Sequence, residues 1–144
     1  MAQEIKRLDI DAYDEIIRVW AESGLPFKLK GRDSLEAVAK EMANPNCAFF
    51  GLFLDEKMIG VVIANFDGRR GWINRLAIDP DQRGLGLAAK LIEISEEFLR
   101  SAGAVVICAL IEEINYPSIS CFQNSGYTCE PNIKYFTKRP SPDA

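Results

Sequence analysis

The chain has 144 residues, 48% apolar and 26% charged, and its 17 Lys and Arg against 21 Asp and Glu leave a net charge of −4. This length suits a single domain whose core needs no staples, and the acidic balance argues against generic nucleic-acid binding. No apolar run reaches the ~18 residues of a membrane span, and Met1-Ala2-Gln3-Glu4 has no signal-peptide pattern, so neither a membrane nor export is expected and the cytoplasm is the predicted location.

Glu4 to Asp9 alternates well enough for a first strand. Asp11 to Ser23 carries Ile16, Ile17, Val19 and Trp20 at helical spacing, with Asp11 as N-cap and Gly24 as the stop. An irregular loop, Leu25 to Arg32, follows, and Asp33 or Ser34 can cap a second helix that ends near Asn44-Pro45. Cys47–Leu54 and Met58–Phe66 read as strands of a hairpin turned at Asp55-Glu56-Lys57. A second turn, Asp67 to Gly71, leads into the extended run Trp72–Ile78, closed by Asp79-Pro80.

Ala89 to Arg100 is strongly helical and stops at Ala102-Gly103, and Ala104–Ile111 is apolar enough for a buried strand. Asn115 opens a last helix with Pro117 in its first turn. Ile133–Phe136 predicts a closing strand whose edge could pair with a second copy in a homodimer. The expected layout is one domain over residues 1–138 and a frayed tail over 139–144. The order β-α-α-β-β-β-α-β-α-β describes an α+β fold with a mixed sheet.

Four cysteines, Cys47, Cys108, Cys121 and Cys129, lack Cys-x-x-Cys spacing, and there is no histidine, so no metal is expected. Cys47 and Cys108 fall in apolar runs and read as inert core thiols.

The segment that carries chemistry is Arg83-Gly84-Leu85-Gly86-Leu87-Ala88, between the strand ending at Ile78 and the long helix. A helix N-terminus presents unpaired N–H groups and the positive end of the macrodipole to an anion. Gly84 and Gly86 leave no Cβ to hold a phosphate away, and Arg83 adds a cationic fork. A P-loop would need Lys-Ser or Lys-Thr where Leu87-Ala88 stands, and a dinucleotide fingerprint a third glycine.

This Arg-x-x-Gly-x-Ala after a strand resembles the acetyl-CoA pyrophosphate loop of the GNAT superfamily of N-acetyltransferases. The final helix, opened by Asn115 and closed by Phe122-Gln123-Asn124-Ser125-Gly126-Tyr127, resembles the same family. The resemblance runs from the N-terminal segment to about Phe136. It implies a GNAT-type mixed central sheet flanked by helices, with acetyl-CoA as co-substrate in a cleft between two splayed parallel strands. It further implies that the backbone of Leu76, Ala77 and Ile78 pairs the pantetheine arm. Arg83 and the amides around Gly84, Leu85, Gly86, Leu87, Ala88 and Ala89 would hold the phosphates, Asn115 the arm near the thioester, and Phe122 would line the cofactor's cleft.

The chain departs from the family at its acid and base. Phe122 stands where a tyrosine acid is often found, and Trp72 and Leu110 where a carboxylate base often is. Substitutes are Glu112 or Glu113 acting through water, and Tyr116, Cys121 or Tyr127 as donor; Glu112 and Tyr116 are the expected pair. Phe27, Lys28, Lys30, Arg32, Asn74 and Arg75 are expected on the acceptor side, where cations favour an amine that carries an anionic group. The acceptor is a small molecule or a protein amine. Two other readings stay open: an acetyl-CoA-binding sensor with little turnover, and an unrelated phosphate-binding α/β domain.

Overall fold

Five strands share one sheet in the order β1-β2-β3-β4-β5 in the computed structural model, which describes residues 2–144. They are β1 (Gln3–Arg7), β2 (Cys47–Leu54), β3 (Lys57–Phe66), β4 (Arg70–Ile78) and β5 (Val106–Cys108). Between and after them come α1 (Tyr13–Ser23), α2 (Leu35–Ala43), α3 (Leu87–Ala102) and α4 (Tyr116–Asn124). β1 to β4 are antiparallel neighbours, and β5 lies parallel to β4.

Both faces of the sheet are covered, which is why β2 and β3 read as continuous apolar runs instead of alternating ones. On one face Ala48, Phe50 and Leu52 pack with Ile73, Leu76 and Ile78 under Leu87, Leu91, Ile92 and Leu99 of α3, and Phe122 of α4 joins them. On the other, Cys47, Phe49, Met58, Val61 and Ala77 meet Ile16, Val19 and Trp20 of α1 and Val38 of α2.

Local signals set most element ends. Asp55 and Glu56 both have positive φ, 47° and 73°, as a two-residue hairpin of the I′ type requires, and Lys57 passes into β3. Ser34 caps α2, its Oγ accepting the Ala37 N–H at 3.1 Å. Asp33 instead ties down the α1–α2 loop, its Oδ2 accepting the Lys28 N–H at 2.8 Å. Asp11 does not cap α1. Asp9 accepts the Asp11 N–H at 2.9 Å and opens a short 3-10 turn, Ile10–Ala12, that precedes the helix.

The C-terminal third departs from expectation. The strand expected over Ala104–Ile111 is reduced to the three residues that pair with β4, and it is only half-buried: Val106 is 53% exposed, while Ile107 packs against the core. No strand forms at Ile133–Phe136, where Ile133 and Phe136 are 74% and 88% exposed. A short alternating segment becomes a strand only when a neighbour supplies its ladder, and nothing pairs with this one. The edge expected to carry a homodimer is therefore not formed. Residues 139–144 run beside the α1–α2 loop, with Lys28 Nζ donating to the Pro142 carbonyl at 2.9 Å.

Candidate active site

The parallel pairing of β4 and β5 covers only Arg70 to Trp72 against Val106 to Cys108. Beyond Trp72 the two strands part, and a cavity of about 840 Å³ opens between Ile73 and Arg75–Ile78 on one side and Leu110–Glu112 on the other. The hinge before α3 closes one end, Ser23 to Pro26 with Arg32 border another, and Asn115, Ser118, Cys121 and Phe122 of the α4 region complete the wall.

At the hinge end, Gly84 and Gly86 have φ of 82° and 72°, and a Cβ on either would project into open space. These are conformations that side-chain-bearing residues rarely adopt. Gly86 is also the N-cap of α3, with no side-chain cap and no acidic residue in the first turn. The first N–H groups of a 16-residue helix are thus left without an acceptor beside the cavity. The residues present fit an anionic phosphate group: bare amides, a dipole end and no side chain in the way. Arg83 is exposed beside them, its Nη2 3.4 Å from the Ser23 carbonyl.

A bulge marks the other end. Val61 faces Ala77 and Ile63 faces Asn74, so Arg75 and Leu76 together oppose Val62. Arg75 sits in the bulge with φ 59° and lies over the Trp20 ring, 4.3 Å from its centroid. Its Nη2 is 3.6 Å from Asp33 Oδ2. Burial lowers the Arg75 pKa from its ordinary value, and the Asp33 carboxylate opposes that shift. Burial and the charge of Asp33 push Glu41 up, while Arg75 draws it back.

Of the expected cofactor-side residues, Leu76, Ala77, Ile78, Arg83, Gly84, Gly86, Leu87, Ala88, Ala89, Asn115 and Phe122 border this cavity, whereas Leu85 points away and is 61% exposed. Asn115 uses its side-chain oxygen to cap α4, accepting the Ser118 N–H at 3.3 Å. Of the expected acceptor-side residues, Arg32 and Arg75 border the cavity; Phe27 packs into the α1–α2 core, and Lys28, Lys30 and Asn74 lie off the wall.

Glu112 is on the wall and exposed, while Tyr116 is 70% exposed and outside the lining. Tyr127 is engaged elsewhere, its hydroxyl donating to Glu96 Oε2 at 2.6 Å. Burial, helped by that bond, raises its pKa far from neutrality. Cys121 borders the cavity, and burial raises its thiol's pKa against the pull of Arg83. Sequence alone does not single out Trp20 and Asp33, because each looks like a core or capping residue. Their signal is indirect: the polar pair Asn74-Arg75 interrupts an apolar strand, and such a break can mark a bulge that re-aims a side chain.

Residues 12–127 match the acetyltransferase (GNAT) family. An acetyltransferase of Sodalis glossinidius is 25% identical over 138 residues, covering 94% of each chain. One from Yersinia pestis is 25% identical over 132 residues, covering 90% of this chain and 91% of its own. Among solved structures, the PaiA N-acetyltransferase of Thermoplasma acidophilum in complex with coenzyme A superposes with a TM-score of 0.80 at 20% identity, over 90% of this chain and 92% of that one. AAC(6')-Iy, in complex with the bisubstrate analogue CoA-S-monomethyl-acetylneamine, gives 0.79 at 15% identity over 96% and 99%. The chain belongs to the GNAT family of acetyltransferases, with the mixed sheet, flanking helices and splayed β4–β5 pair of that fold. It is an acetyl-CoA-dependent N-acetyltransferase, and acetyl-CoA is its co-substrate.

Proposed function

We propose that the chain acetylates a small primary amine bearing an anionic group, by direct attack of the amine on the thioester. The observation that carries this reading is one continuous cavity whose wall includes both the hinge before α3 and the cations Arg32 and Arg75. In this reading the amides from Gly84 to Ala89 and Arg83 hold the pyrophosphate, and the freed backbone of Leu76, Ala77 and Ile78 orients the arm. Asn115 donates its amide N–H to the arm near the reacting end. Glu112 takes the proton released by the amine, through water, as the N–C bond forms and the C–S bond breaks. A thiol of pKa near 8.5 leaves as thiolate without a dedicated acid, so neither Tyr116 nor the hydroxyl missing at Phe122 is required. The acceptor in this reading is a small molecule, and a cytoplasmic setting goes with it.

The apolar wall at Phe122 favours a second reading within the same family, a slow acetyltransferase that serves chiefly as an acetyl-CoA sensor. Thermal unfolding with acetyl-CoA and thiol release across a panel of amines separate the two. Ligand at 100 times its Kd stabilises by ~2.7 kcal/mol, several degrees in Tm for a chain of this size. Stabilisation with release is the expected outcome; stabilisation without release for any amine supports the sensor. Gly86→Val places a branched side chain in the phosphate's space and should abolish both responses. A Gly86→Val variant that acetyl-CoA stabilises normally would remove the hinge from the binding site.

A further inference from the structure

Arg75 is held in a way that packing does not explain. Its side chain is 17% exposed, its backbone is left-handed without being glycine, and its neighbours along β4 include the buried Ile73 and Leu76. The partners that would offset burial of its charge are incomplete. Trp20, fully buried, covers one face of the guanidinium. Asp33 Oδ2, at 3.6 Å from Nη2, is beyond hydrogen-bond reach of a good N–H···O contact and already accepts the Lys28 N–H. Nε and Nη2 are closed to solvent and have no acceptor, which leaves Nη1 as the nitrogen open to the cavity that Arg75 borders. A buried cation with hydrogen bonds unmade is costly to keep.

The charges around it narrow what could complete it. Asp33 and Glu41 lie close enough to act on Arg75, Glu112 acts on it from across the cavity, and Arg32 adds the other cation. With Arg32 sharing the positive charge, a monoanion meets about half the repulsion from these three carboxylates that a dianionic phosphate would. The indole ring holds the guanidinium in place, and the charged Nη1 N–H groups suit a carboxylate oxygen. Glu112, on the same cavity wall, supplies negative charge for an ammonium group.

We infer that Arg75 is the receptor for the carboxylate of an amino-acid-like acceptor, whose amine is the group acetylated. This rests on the acyl-transfer reading above. The amine nitrogen forms the new amide bond, the thioester C–S bond breaks, CoA leaves as thiolate, and the amine's proton passes to Glu112 through water. Arg75 is a specificity residue in this scheme and takes no part in proton transfer.

The experiment measures acetylation of matched pairs, each an amino acid and its carboxamide: leucine and leucinamide, phenylalanine and phenylalaninamide, β-alanine and β-alaninamide. Rates are compared per free-base amine, because the carboxamides have the less basic nitrogen. The protein should favour the acid of at least one pair by about tenfold or more in kcat/KM. Arg75→Lys should keep part of that preference. Arg75→Asn, which removes the charge with a residue tolerant of left-handed backbone, should erase it through a rise in KM for the acid.

Equal or inverse preference in the unsubstituted protein, or no acetylation of any acid, overturns the proposal. So does an Arg75→Asn variant that slows both members of a pair equally through kcat, since that is the mark of an oxyanion or structural role. The acetyl-CoA shift in Tm is read on every sample. Its absence in the unsubstituted protein defeats the acyl-transfer reading itself. Its absence in Arg75→Asn alone marks a deformed variant, and the unsubstituted protein with Arg75→Lys then decides.

Discussion

Burial pushes the Cys47 thiol up to about 12, so its thiolate at pH 8 is on the order of one part in 10⁴. Cys129, by contrast, is exposed, and Cys121 sits half-buried on the cavity wall. Brief treatment with iodoacetamide followed by peptide mass spectrometry should therefore label Cys129 first and leave Cys47 untouched until the protein unfolds. Cys121 should react slowly, and acetyl-CoA should slow it further by occupying the space beside it. Labelling of Cys121 that acetyl-CoA does not alter would separate the cavity from the binding site. The same burial removes Tyr127 from the chemistry, because a hydroxyl bonded to Glu96 with a raised pKa keeps its proton.

The β3–β4 turn shows how one side chain can organise an element. Asp67 accepts the N–H of Arg70 at 2.7 Å, the indole N–H of Trp72 at 3.0 Å and the N–H of Arg69 at 2.8 Å. These bonds, with the Arg70 amide foremost, hold its carboxyl down at about 2. A folded-state pKa below the unfolded value stabilises the fold above roughly pH 4 and is lost as pH falls toward the folded pKa. Unfolding midpoints in urea should accordingly drop between about pH 4 and pH 2. Asp67→Asn should flatten part of that dependence and lower stability at neutral pH; an unchanged profile would mean that the carboxylate does not anchor the turn.

Across the whole molecule, α3 links the sheet to the site. Leu91, a fully buried residue of α3, lies close to Gly60 on β3. Leu91→Ala should cost about 2–5 kcal/mol, a large share of the ~5–15 kcal/mol typical of a domain, read as a lower urea midpoint at unchanged slope. Saturating acetyl-CoA should restore part of that loss by mass action. A cost under about 0.5 kcal/mol, the range of surface substitutions, would show that α3 is not anchored through this residue. The α1–α2 loop is braced from a distant part of the chain, since Lys28 bonds Pro142 and Asp33 faces Arg75. The wall of the cavity around Arg32 and Arg75 thus depends on segments far apart in sequence.

Features decided by neighbouring residues could be read from the chain alone. Gly24 and Gly103 stop their helices, Asp55-Glu56 turns a hairpin, and two glycines before a helix leave bare amides at one site; each acts within a few residues of itself. The hinge end of the cavity was legible for the same reason, being one contiguous loop. Elsewhere on the wall Arg32 and Arg75 were legible, but the way Arg75 is held was not, because Trp20, Asp33 and Arg75 come together from α1, a loop and a bulge in β4 only when the chain has folded. A bulge is a property of two strands in register, and no window on one strand contains it. The missing strand at Ile133–Phe136 has the same cause: four alternating residues are compatible with a strand, but the ladder that would make them one belongs to a partner elsewhere in the fold.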